Sequence, residues 1–103
     1  MVVYTMAVDR PDFETFALEG PATIYEVSAL RESLRLALSQ GKDLRIDLGE
    51  TGKWDLAGLQ LLISCIKTGL AQGRTVRVAR TPDVCVEIAE RCGLADWLRS
   101  VME

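Results

Sequence analysis

Histidine is absent from the 103-residue chain, which removes the commonest general base and the commonest metal ligand near neutral pH. Cysteine is sparse. Cys65, Cys85 and Cys92 are odd in number and form no Cys-x-x-Cys pair, so neither a disulfide framework nor a metal site is expected. Reduced thiols buried as small apolar side chains are the plain expectation. No apolar run approaches the roughly 20 residues that span a bilayer, and the first ten residues lack the basic start and long apolar stretch of a secretory leader. A cytoplasmic protein without membrane insertion is therefore expected. Twelve basic against fifteen acidic side chains leave a net charge of −3 with no basic cluster, which argues against a nucleic-acid partner. Glycine-rich phosphate loops and nucleophile elbows are missing as well. Asp47 has no acidic neighbours in reach by pattern, so a phosphoaspartate acceptor is not expected. No catalytic residue and no cofactor is assigned, and the chain reads as a non-enzyme.

What is present is ordinary for a folded domain: 49% hydrophobic and 26% charged residues, with no low-complexity stretch or linker. Residues 1–103 read as one domain. Val2 to Val8 and Phe13 to Leu18, divided by a turn cluster at Asp9-Arg10-Pro11-Asp12, read as an antiparallel hairpin. Tyr25 to Gln40 is helical by period, with Val27, Leu30, Leu34, Ala37 and Leu38 on one stripe and Gly41 as its stop. Leu44 to Leu48 alternates as a strand. After a loop rich in glycine and polar residues, Leu56 to Gln72 makes the longest helix, its stripe being Leu59, Leu62, Ile63, Ile66 and Leu70. Thr75 to Ala79 alternates again. A helix from Thr81-Pro82-Asp83 to Cys92 and a last amphipathic stretch through Leu94, Trp97, Leu98 and Val101 complete the chain.

Strands separated by helices require crossovers, so the expected fold class is α/β with a mixed, mainly parallel sheet and an antiparallel edge strand. Parallel strands covered on both faces read as continuously apolar, whereas these alternate. Helices are therefore expected mostly on one face, with Arg45, Asp47 and Arg77 forming a solvated charge ladder on the other.

The segment from Gly49 to Gln60 leads from a strand into the long helix. Asp55 stands where a carboxylate accepts the free N–H groups of a first helical turn. Gly58 is a poor helix former, which suggests close approach by another backbone or by a partner. Open α/β folds usually bind at this edge of the sheet. Trp54 is either an interface anchor or a plug at the end of the core. Leu56 lies off the main stripe, as expected of a residue facing a partner. Trp54, Asp55, Leu56, Ala57, Gly58, Leu59 and Gln60 form the candidate docking segment.

These residues resemble the STAS family, whose fold is that of bacterial anti-sigma factor antagonists. The resemblance runs from about Phe13 to about Leu98. It comprises Gly20, Ile46-Asp47-Leu48, Asp55-x-x-Gly58-Leu59, Gly73 and Cys92-Gly93-Leu94. Phosphorylatable members carry Asp-Ser-Ser-Gly-Leu at the helix start, and the second serine is phosphorylated by a kinase that is also the anti-sigma factor. Ala57 occupies that position here and Leu56 the one before it, so neither accepts a phosphoryl group. Thr51, on a loop flanked by glycine, is the best-placed alternative hydroxyl, its other reading being a turn residue. The resemblance implies a protein partner of the anti-sigma factor or serine kinase type. It also leaves open a cytoplasmic STAS subunit of a lipid-transport ABC system, or a component of a chemotaxis or sensory complex. A monomer or weak dimer is expected.

Overall fold

The computed structural model describes residues 13–103. The Val2 to Val8 strand expected at an antiparallel edge lies outside those residues. Three strands, β1 (Phe13–Ala22), β2 (Asp43–Trp54) and β3 (Val76–Ala79), form a parallel sheet in the order β1-β2-β3. The first two crossovers are α1 (Val27–Leu38) and α2 (Leu56–Ala71), followed after β3 by α3 (Asp83–Arg91) and α4 (Ala95–Val101). The chain is thus α/β with four helices around a parallel sheet.

The alternation in β2 has the anticipated cause. Leu44, Ile46 and Leu48 are fully buried, while Asp43, Arg45 and Asp47 are half-buried. With Val76 and Val78 of β3 they join one hydrophobic cluster. Leu34 and Leu38 of α1, Leu59, Leu62 and Ile66 of α2, Cys85 and Ile88 of α3, and Leu98 and Val101 of α4 complete it. All four helices serve a single core, with the charged positions of β2 on the opposite side of the pleat.

Both long strands outrun their expected ends. The stretch from Gly49 to Trp54 is not a loop: Glu50, Thr51 and Trp54 pair with Glu19, Gly20 and Ala22 of β1. Register shifts between Ala17 and Glu19 and between Gly20 and Ala22 let the glycine-bearing stretches stay paired, with Gly20 at φ +78°. Polar and glycine-rich composition conceals such a strand because no core-facing alternation marks it.

Three further expectations are corrected. Leu70 is 42% exposed, and Gly69 is buried in its place. A Cβ on Gly69 would stand 2.6 Å from Val76 Cγ2, so absence of a side chain lets α2 settle on β3. Cys92 is exposed, unlike Cys65 and Cys85, whose burial pushes the thiols up to about 11 and about 12. The charged ladder is replaced by separate partnerships. Arg45 and Arg77 are register neighbours of like charge, and each turns elsewhere: Arg45 Nε to Glu103 at 2.8 Å, Arg77 Nη1 to the Ser100 carbonyl at 3.4 Å. Asp47 receives a two-pronged contact from Arg80, Nε at 2.9 Å and Nη2 at 3.0 Å. Arg80 sits at φ +53°, and its guanidinium covers Gly49. Among the described residues no helix is long and apolar enough to cross a membrane.

Candidate functional site

The carboxyl ends of β1 and β2 lie side by side, with Ala22 opposite Trp54, and each feeds a helix. Asp55 joins the two junctions. Its Oδ1 accepts the Gly58 N–H at 3.0 Å and caps α2, while its Oδ2 accepts the Ile24 N–H at 2.9 Å across the β1–α1 turn. These backbone donors, Gly58 first and Ile24 second, hold the Asp55 carboxyl below the usual carboxylate range. Gly58 is needed for the same approach: a Cβ there would overlap the Ala22 carbonyl oxygen. The close neighbour anticipated from its position is this backbone.

The turn before α1 is fixed in a similar way. Glu26 Oε1 accepts from the Thr23 N–H at 2.8 Å and from Thr23 Oγ1 at 2.6 Å. These contacts close a Thr23–Glu26 turn ahead of α1, whose N-cap is Glu26 itself. They leave Ile24 and Tyr25 at the apex of the turn, Tyr25 91% exposed. Leu56, next to Asp55, is 45% exposed. Ile24, Tyr25 and Leu56 are thus exposed apolar side chains on the two segments that Asp55 ties together. Ile24 and Tyr25 were not among the residues singled out from the sequence. Their signal was an Ile-Tyr pair between strand and helix, off the apolar stripe of α1.

The docking segment is divided by burial. Trp54 is 8% exposed and belongs to the core, with Gly58 and Leu59. Leu56 and Gln60 are exposed, and Asp55 and Ala57 are half-buried. Trp54 Nε1 donates to Thr51 Oγ1 at 3.0 Å, and Thr51 Oγ1 donates to the Leu48 carbonyl at 2.7 Å. The Thr51 hydroxyl thus acts as a bracket between the strand and the indole. Ser64 is exposed on the outer side of α2.

Two grooves lie at these junctions. One, of about 660 Å³, runs beside Pro21, Tyr25, Lys53, Trp54 and Val84. The other, of about 350 Å³, lies between Ile24 and Val27 on one side and Ala57 and Gln60 on the other, with Arg31 at its rim. The first groove is lined mainly by apolar surface and the second by more polar than apolar surface. Within it Ala57 presents a methyl group and no hydroxyl.

The chain has known relatives in sequence and in fold. A family model described as "Mlab, STAS domain" matches residues 6–102. The anti-sigma-B factor antagonist of Bacillus subtilis (strain 168) is 28% identical over 79 residues, covering 77% of this chain and 72% of that one. Solved structures that share the fold include the following three. A sulfate transporter family protein from Wolinella succinogenes has a TM-score of 0.71 at 14% identity, covering 93% of this chain and 80% of its own. The STAS domain of a SulP transporter from Vibrio cholerae follows at 0.68 and 17%, covering 92% and 75%. The anti-sigma factor antagonist SpoIIAA in its unphosphorylated form gives 0.61 and 14%, covering 91% and 94%.

Proposed function

Since the chain belongs to the STAS domain family, we propose that it is a non-catalytic docking module of bacterial signal transduction. It acts in the cytoplasm on an anti-sigma factor or a related serine kinase, and so on transcription. The observation that carries this reading is the exposure of Ile24, Tyr25 and Leu56 at two junctions that the Asp55 carboxylate and the Gly58 approach tie together. Similarity to the anti-sigma-B factor antagonist supports the choice of partner. With Ala57 in the family's phosphoserine position, the module docks without that switch. Occupancy then follows the amounts of the two proteins and any competitor for the same face.

A tagged copy retrieved from its native cell tests the reading. The wild type should retain a kinase-like protein, Leu56→Asp should lose it, and Leu36→Asp, at an exposed leucine on α1, should keep it. Equal retention by Leu56→Asp removes the docking face. A phosphate-affinity gel with the retained kinase should show no shifted band. A band abolished by Thr51→Val would move the switch to Thr51.

A second reading keeps the face and changes the system. Two of the similar folds come from transporter proteins, and a STAS subunit of a lipid-transport ABC system would dock in the same manner. Retrieval of an ATPase together with a membrane permease selects this alternative.

A further inference from the structure

Arg45 and Arg77, register neighbours on β2 and β3, both hold the segment that follows α4. Arg77 donates to the Ser100 carbonyl, and Arg45 reaches past β3 to donate from Nε to both Glu103 carboxylate oxygens, at 3.0 and 2.8 Å. Val101 is anchored in the core. Met102 then leaves the helix in extended backbone, φ −77° and ψ 144°, and forms a parallel bridge with Val78. The Glu103 N–H donates to the Val78 carbonyl at 2.8 Å. Among the described residues β3 is the outermost strand on this side of the sheet, so Met102 and Glu103 lie against its outer edge. A bare strand edge is a template for pairing with another chain, and a covering segment is one protection against it. The hold on Glu103 is light, an edge hydrogen bond and an ion pair between side chains that are each about one-third exposed. Contacts of this kind open locally far more often than the core does.

We infer that Met102 and Glu103 form a strap over the outer edge of β3, latched by Arg45, and that the strap keeps this edge from pairing with a second copy of the chain. The Val78 carbonyl points out of the sheet on this side, since it accepts from Glu103. Antiparallel pairing about a two-fold axis at Val78 would let the two copies exchange their Val78 hydrogen bonds. That register sets Arg77 of each copy opposite Ala79 of the other, so like charges do not meet across the pair. The uncovered edge is therefore self-complementary, and the strap takes up the group at its centre. None of these residues belongs to the Asp55 junctions, and the strap operates whether or not those junctions dock a partner.

The test compares the isotope-labelled full chain with Arg45→Gln, which loses the latch charge, and Glu103→Pro, which loses both the edge N–H and the carboxylate. Proline suits the position because Met102 already holds the backbone conformation favoured before proline. In Arg45→Gln the Glu103 amide should exchange roughly fivefold faster, the scale of a partly exposed ion pair, while the Ile46 amide in the core keeps its rate. Glu103→Pro should self-associate roughly tenfold more tightly than wild type in sedimentation velocity, because pairing needs both edges open at once. Its amide shifts should grow with concentration and centre on Val76 to Ala79. If urea unfolding shows that Glu103→Pro does not fold, Glu103→Gln replaces it with the same expected direction. Unchanged exchange and unchanged association remove the strap. Faster exchange with no gain in association shows an edge that opens without pairing, and overturns the second copy as what the strap excludes. Association whose shifts lie away from β3 overturns it as well.

Discussion

Gly58 has two opposing claims on it. Alanine is the better helix former by about 1 kcal/mol, so propensity alone favours Gly58→Ala. The added methyl, however, would have to displace the Ala22 carbonyl, which is backbone and cannot rotate aside. Overpacking typically costs about 1–3 kcal/mol, and overlap with a backbone oxygen belongs at the upper end, so a net loss of up to about 2 kcal/mol is expected in urea unfolding. Thr51→Val should behave differently. Shape is nearly kept, but Trp54 Nε1 loses its acceptor in a mostly buried setting. A loss of about 1–3 kcal/mol is expected, the range for an orphaned buried donor. Spacing made Asp55 and Gly58 legible in the sequence, because a cap and a misplaced glycine are local signals. The Thr51 bracket was not, since it depends on a strand continuing where the composition reads as loop.

At the scale of elements, periodic stripes mark α1, α2 and α4 and alternation marks the β2 core, whereas α3 is legible from its Thr81-Pro82-Asp83 start. Most of the α2 stripe is buried, but its last member is not: the helix turns on Gly69, whose fit against Val76 is a property of the neighbouring strand. Likewise Arg80 gave no sign of partnering Asp47, because the pair joins β2 to the residue just past β3, which has positive φ. The exposed Ile24 and Tyr25 were hidden by their place at a junction. The Asp55 carboxylate couples that junction to α2, so Asp55→Ala should loosen both. Hydrogen exchange should speed up at the Ile24 and Gly58 amides together, with a fall in melting temperature of roughly 5 °C. Faster exchange at Gly58 alone would show that the β1–α1 turn holds itself.

For the whole molecule, two measurements address the core and the charge balance. Cys65 and Cys85 are buried with raised thiol pKa values of about 11 and about 12, and Cys92 is exposed. A thiol reagent at pH 8 should therefore titrate one cysteine in the folded chain and three after denaturation. Two fast thiols in the folded state would mean that α2 or α3 opens. The pH dependence follows from Asp47 and Asp55. Arg80 and the Gly49 N–H hold Asp47 low, and the Gly58 and Ile24 N–H groups hold Asp55 low. The folded chain binds these protons less readily than the unfolded one, so their stabilisation is fully present above the unfolded values near 4. It is lost as pH falls through the lower folded values. With no histidine to titrate, urea midpoints should be level from about pH 5.5 to 8 and decline below about pH 4. A step near pH 6.5 would contradict this.

The double attachment of Asp55 also bears on association kinetics. A surface whose two halves are tied before any encounter gives up little motion when it is covered. Disorder-to-order penalties that slow and weaken recognition by floppy loops are largely absent. Complex formation should accordingly be a single bimolecular phase in stopped-flow mixing, its rate linear in concentration with no plateau.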